Sequence, residues 1–271
     1  MGKRSRQFEH AAATGFLVVL ALALVIAASG GFGGPQVGQP GAEVGAFDGV
    51  IRATIEVRPP VFPKSLGRLW QDGGYRLATL RRGHGALVRD APDGRVLGGL
   101  DDQTEFGSPR VFSVLKRRDE WLQVTIAAYD DNRPLWIRAD PYSLDFSTTD
   151  VAIRADLAGR SLTYEVGGEV RRRMPMTVGA AGTETPSGRF AVSDVVRAKD
   201  GLDPVYGCCA VVLSAIQDDL PASWPGGNRV GIHGTRGAVG EAASLGCMRL
   251  GAADIAWLAN HVPLGAPVFV S

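Results

Sequence analysis

One histidine and one cysteine, each beside a glycine, stand fourteen positions apart in Val230 to Leu250, VGIHGTRGAVGEAASLGCMRL. The surrounding segment otherwise reads as short β-strands, so any site built from this pair has to be a strand-and-loop site. Catalysis by a thiol needs a cysteine, a nearby base, and backbone N–H groups free to receive an oxyanion. Ser244-Leu245-Gly246-Cys247 suits the last requirement, because a glycine before the nucleophile lets the backbone approach a substrate and take unusual dihedrals. Gly231-Ile232-His233-Gly234 ends a short strand and turns the base toward the thiol. Plainer readings exist for both residues. A His-Gly pair can simply be a turn, and a buried cysteine can behave as a small hydrophobe.

The wider pattern favours chemistry. His233-Gly234-Thr235 followed by Ser244-Leu245-Gly246-Cys247-Met248-Arg249-Leu250 resembles the signature of the L,D-transpeptidase catalytic domain family, the YkuD type. The resemblance runs from about Val151 to the C-terminus. Asp156 to Leu162 looks like the domain's opening strand and turn, and Gly179 to Phe190, GAAGTETPSGRF, like its Thr-Pro-x-Gly-x-Phe segment. Leu245 departs from the many members with a second histidine there, which reads as a change of pocket lining.

The resemblance implies a β-sandwich-like catalytic domain with one or two short helices. It implies Cys247 as nucleophile, His233 as general base and then acid, and the Gly234 carbonyl as the group that orients the imidazole. Main-chain N–H groups around Gly246 and Cys247, with Leu245 nearby, would receive the oxyanion, while Ser244 braces the loop. A histidine partner should lower the thiol pKa and stabilise the thiolate. Arg249 is shaped for a carboxylate, either that of a peptide stem or that of a structural ion pair. Asp218 to Asn228 stands where the family carries a flap, and there Trp224 contacts the stem or anchors its own loop. The implied reaction is acyl transfer on peptidoglycan stem peptides with release of D-alanine. The acceptor is an amine, water or a protein lysine, and carbapenems are expected to acylate Cys247. A papain-like hydrolase would place cysteine before histidine on a helix, whereas here the order is reversed. A non-catalytic wall-binding protein would have no need of the full residue set.

The rest of the chain fits an exported, mainly β protein. Lys3, Arg4 and Arg6 head a charge-free run from Ala11 to Ala28. Met1 to Ser29 therefore reads as a signal peptide or an uncleaved membrane anchor, which places the remainder outside the cytoplasmic membrane, in the cell envelope. Gly30 to Gly49 is a Gly/Pro-rich linker. A net charge of +1 argues against nucleic acid as a partner.

Val50 to Tyr142 reads as a small β domain. Strands are expected at Ile51–Val57, Ala86–Val88, Val96–Leu97, Phe106, Val111–Leu115, Trp121–Val124 and Leu135–Ile137, with a turn at Asp93-Gly94. Ala86 to Asp140 resembles a bacterial Src-homology-3-like barrel. Trp121 and Trp136 there either line a groove or fill the core. Ser143 to Asp150 reads as a connector to the catalytic domain, residues 151–271.

Within that domain, strands are expected at Val151–Asp156, Ser161–Val166, Val170–Val178, Arg189–Val192, Tyr206–Ser214 and Gly265–Val270. A helix is expected over Ala252–His261 with an Ile255, Leu258, Ala259 stripe. Arg171-Arg172-Arg173 reads as a solvated edge. Three cysteines cannot form a disulfide framework. Buried free thiols are the expectation for Cys208 and Cys209, with a strained bond between the two, or a regulatory bond from one of them to Cys247, as lesser alternatives. No ligand pair has zinc-site spacing, so neither a metal nor a cofactor is expected.

Overall fold

The computed structural model describes residues 73–127 and 132–271. The expected signal or anchor segment, the linker and the Ile51–Val57 strand lie outside the described residues. Among the described residues no helix is long and apolar enough to cross a membrane.

The first half of the described chain forms one seven-stranded antiparallel sheet. Its strands are β1 (Tyr75–Leu80), β2 (Gly85–Arg89), β3 (Val96–Asp101), β4 (Val111–Arg118), β5 (Trp121–Val124), β6 (Leu135–Arg138) and β7 (Leu144–Thr149), in the order β3-β2-β6-β5-β4-β1-β7. Val88, Phe112, Leu122, Leu135 and Ile137 pack in its core. The Asp93-Gly94 turn is present, with Asp93 at φ 55°. Three expectations change. Phe106 lies in an exposed turn, not a strand. The Ser143–Asp150 connector is mostly strand β7, which completes the sheet against β1. Trp121 and Trp136 are buried under the cations of Arg89 and Lys116, so neither lines an open groove.

The second half builds an eight-stranded sheet, β10-β9-β8-β17-β12-β13-β14-β16. Its strands are β8 (Val151–Asp156), β9 (Ser161–Val166), β10 (Glu169–Pro175), β12 (Gly188–Arg197), β13 (Cys209–Ile216), β14 (Arg229–Gly234), β16 (Met248–Leu250) and β17 (Pro267–Val270). A small parallel ladder joins β11 (Val178–Gly179) to β15 (Ala242–Ser244). The runs at β8 and β9 pair antiparallel across a turn at residues 157–160, and the Gly167-Gly168 turn, with both glycines at positive φ, joins β9 to β10. The arginine run lies on the edge strand β10, where Arg172 pairs with Asp254 at 2.6 Å. Helix α1 (Ala252–His261) lays Ile255, Leu258 and Ala259 onto the sheet. The His261 Nδ1 sits 2.7 Å from the Trp257 carbonyl, in the last turn of that helix.

Strand β13 is buried along its whole length and carries β12 on one side and β14 on the other. It begins at Cys209, three residues later than the apolar run suggests. Pro204–Tyr206 is a one-turn 3-10 helix, opened by the Asp203 side chain accepting from the Val205 N–H. Cys208 thus lies in a turn, where strand alternation does not apply, and it is joined to Cys209 as a disulfide. The expectation of free thiols at this pair is overturned. So is a bond from either of them to Cys247, which is free.

Candidate active site

The histidine strand and the cysteine loop meet through a parallel pairing. β14 lies between β13 and β16, with His233 opposite Ala210 on one side and Arg249 on the other. The loop that precedes β16 is held from below. β11 accepts β15 as a neighbour, the Ala180 N–H donates to the Ser244 carbonyl (2.9 Å), and the Thr183 hydroxyl donates to the same carbonyl (3.1 Å). The Thr185 hydroxyl accepts from the Gly179 N–H. The GTETPSG segment is therefore a brace for the loop that carries Cys247. Inside the loop, the Ser244 hydroxyl donates to the Cys247 carbonyl at 2.6 Å and accepts from the Gly246 N–H at 3.2 Å. This is the bracing expected of Ser244. It occupies the Gly246 N–H, one of the main-chain donors expected to face an oxyanion.

Gly246 has φ 105°, and a Cβ built there would come 2.2 Å from the Gln217 amide nitrogen. Only glycine suits both conditions. Gly246→Ala should keep the sheet but shift the nucleophile, costing about 100-fold in rate if the thiol moves by ~1 Å. Measurement of kcat beside a melting curve checks this.

The Cys247 Sγ rests on the backbone of β14, 3.4 Å from the Gly231 nitrogen and 3.9 Å from the Arg229 carbonyl. Gly231 and His233 are two residues apart on that strand, the spacing of positions that share a face. The His233 Nδ1 lies 2.8 Å from the Gly234 carbonyl. A carbonyl can only accept, so Nδ1 carries the proton and Nε2 offers its lone pair. This is the orienting contact the resemblance implied.

Burial pushes the Cys247 thiol up, against smaller opposing effects from the Gly231 N–H and the Arg249 cation. Burial pushes the His233 pKa down, the Gly234 hydrogen bond raises it, and the Arg249 cation lowers it again. Both net shifts favour neutral thiol and neutral imidazole in the resting site. The stabilised thiolate expected from sequence does not follow, because desolvation outweighs the lowering effects of the Gly231 N–H and the Arg249 cation.

Tyr206 is the residue that sequence reasoning missed. Its ring meets the His233 imidazole edge-on at 4.8 Å. Burial raises its hydroxyl pKa, with further contributions from the charges of Cys247 and Asp203. The missing signal was the Asp-Pro turn that lifts Tyr206 out of the strand. Gly207 and Gly234 pack so closely that a Cβ on Gly207 would come 3.2 Å from the Gly234 Cα. Arg249 bonds Thr177 through its backbone, N–H to carbonyl in both directions at 2.9 Å. Among the described residues no carboxylate lies within ion-pairing distance of its guanidinium. Trp224 turns back on its own loop, with Nε1 donating to the Gly227 carbonyl at 3.0 Å.

A thiol, a tautomer-fixed imidazole and a braced glycine turn define a site for cysteine acyl transfer. Residues 150–270 match the family model of the L,D-transpeptidase catalytic domain, YkuD. The Bacillus subtilis protein named L,D-transpeptidase YkuD is 28% identical over 134 residues, which cover 49% of this chain and 70% of that protein. The Salmonella typhimurium protein named L,D-transpeptidase ErfK/SrfK is 35% identical over 123 residues, 39% of this chain and 38% of that protein. Among solved structures, an L,D-transpeptidase from Mycobacterium smegmatis aligns with 21% identity and a TM-score of 0.37, covering 58% of this chain and 80% of that one.

Proposed function

We propose that the chain is a peptidoglycan L,D-transpeptidase with Cys247 as nucleophile and His233 as general base and acid. The observation that carries this reading is the His233 Nδ1 contact with the Gly234 carbonyl, on the strand against which Sγ rests. It leaves Nε2 free to take the thiol proton as Sγ attacks the carbonyl between the third stem residue and the terminal D-alanine. The oxyanion forms against the Leu245 and Cys247 N–H groups. The imidazolium returns its proton to the departing D-alanine amine, leaving a thioester on Cys247. An amine from a second stem then attacks the thioester, gives its proton to Nε2, and forms a new amide as the thiol is released. Arg249, without a carboxylate partner among the described residues, receives the carboxylate of the stem.

Export through Met1–Ser29 and a tether at Gly30–Gly49 agree with a wall substrate, as does a Src-homology-3-like reading of the first sheet. Incubating the protein with disaccharide-tetrapeptide should yield dimers and D-alanine by mass spectrometry. D-alanine without dimers would make water the acceptor and the protein an L,D-carboxypeptidase. No reaction would move the chain to the non-catalytic wall-binding reading. A carbapenem should add one adduct to Cys247 in the intact mass spectrum, and an unchanged mass would count against the nucleophile assignment.

A further inference from the structure

Arg229 opens β14, and its main-chain carbonyl is one of the two backbone groups against which the Cys247 Sγ rests. Its side chain is mostly buried and gathers four segments. The guanidinium donates to the Ala127 carbonyl (3.1 Å), the Ser193 hydroxyl (2.9 Å) and the Leu213 carbonyl (2.7 Å), and pairs with the Glu105 carboxylate at 2.9 Å. Ser193 and Leu213 belong to β12 and β13. Glu105 and Ala127 belong to loops of the first sheet. Two neighbouring contacts join the same bodies. The Thr104 hydroxyl donates to Asp194, a fully buried carboxylate on β12. The Asn132 side chain exchanges two hydrogen bonds, both 2.7 Å, with the backbone of Ile216, the register partner of Arg229.

A guanidinium presents its N–H groups in a rigid planar fork. Acceptors arrayed around it therefore fix the orientation of the residue as well as its position. We propose that Arg229 is a positioning residue for the nucleophile, and that the first sheet, through Glu105 and Ala127, holds the start of β14 so that Sγ stays seated between the Arg229 carbonyl and the Gly231 N–H. The inference rests on the reading of Cys247 as nucleophile. It gives the first sheet a part in catalysis that does not depend on binding the wall. Lysine at position 229 keeps the charge but cannot serve acceptors on four segments, so it separates geometry from charge.

The test compares the full chain with Arg229→Lys, Arg229→Met and Glu105→Gln. Four quantities are read: kcat and KM for D-alanine release, the pH profile of Cys247 alkylation by iodoacetamide, and the melting temperature. Cys208 and Cys209 are joined, so the alkylating agent reports on Cys247. Arg229→Lys should fold, hold KM within about twofold, lose about tenfold or more in kcat, and shift the alkylation profile. Glu105→Gln should move both in the same direction by less. Should Arg229→Met fail to fold, the other two variants carry the test. Lower melting temperatures with unchanged kcat and an unchanged alkylation profile would overturn the proposal and leave Arg229 a structural residue. Alkylation needs no peptidoglycan, so a wild-type protein inactive on stem peptides would refute the proposed function while the thiol profile still decides this inference.

Discussion

Cys247→Ala is expected to abolish D-alanine release and cross-linking, a fall of roughly 10⁴-fold or more, since the variant cannot form a thioester. Cys247 is the chain's free cysteine, the other two being bonded to each other. The loss should come without unfolding. The thiol makes two long backbone contacts, at 3.4 and 3.9 Å, while the loop is held by Ser244, Ala180 and Thr183. A melting curve close to wild type beside absent turnover is the expected pair of results. Residual turnover near the wild-type level would remove Cys247 from the mechanism.

His233→Asn should lower kcat/KM by about 10²- to 10⁴-fold, the range for losing a positioned general base. The pH dependence carries more information than the loss itself. Burial lowers the His233 pKa, so its protonation, which removes the base, belongs below the ordinary value of about 6.5. Burial raises the thiol pKa, so spontaneous ionisation of Cys247 belongs on the alkaline side. Wild-type kcat/KM for acylation should therefore fall as pH drops below about 6.5 and hold level through neutral pH. In His233→Asn the acid limb should vanish, and the remaining rate should climb with pH as the thiol ionises unaided. An acid limb that persists in the variant would mean another group supplies the base.

Much of this was legible in the sequence, for identifiable reasons. β8 and β9 carry alternating apolar residues in sequence, although β9 is buried on both faces, and α1 carries its Ile255, Leu258, Ala259 stripe at helical spacing, so local pattern sufficed. The Gly234 contact to His233 joins adjacent residues, and the family resemblance supplied it. β7 escaped because LDFSTT is largely polar, and its strand form depends on pairing with β1, which lies about seventy residues earlier. Tyr206 and the Cys208–Cys209 bond escaped for a shared reason. The apolar run hides a turn at Pro204–Gly207, which lifts both out of strand periodicity. The neutral state of the thiol and imidazole depends on how deeply the fold buries them, which spacing alone does not reveal. The Arg229 clamp spans 102 residues to Ala127 and follows only once both sheets are in place.

The most direct test is a rapidly quenched reaction of the protein with tetrapeptide stem, digested and mapped by mass spectrometry. The account predicts a tripeptide acyl group in thioester linkage on the peptide containing Cys247, cleared by hydroxylamine and absent from Cys247→Ala. An acyl group on any other residue, or D-alanine release with no covalent intermediate at any quench time, would contradict it.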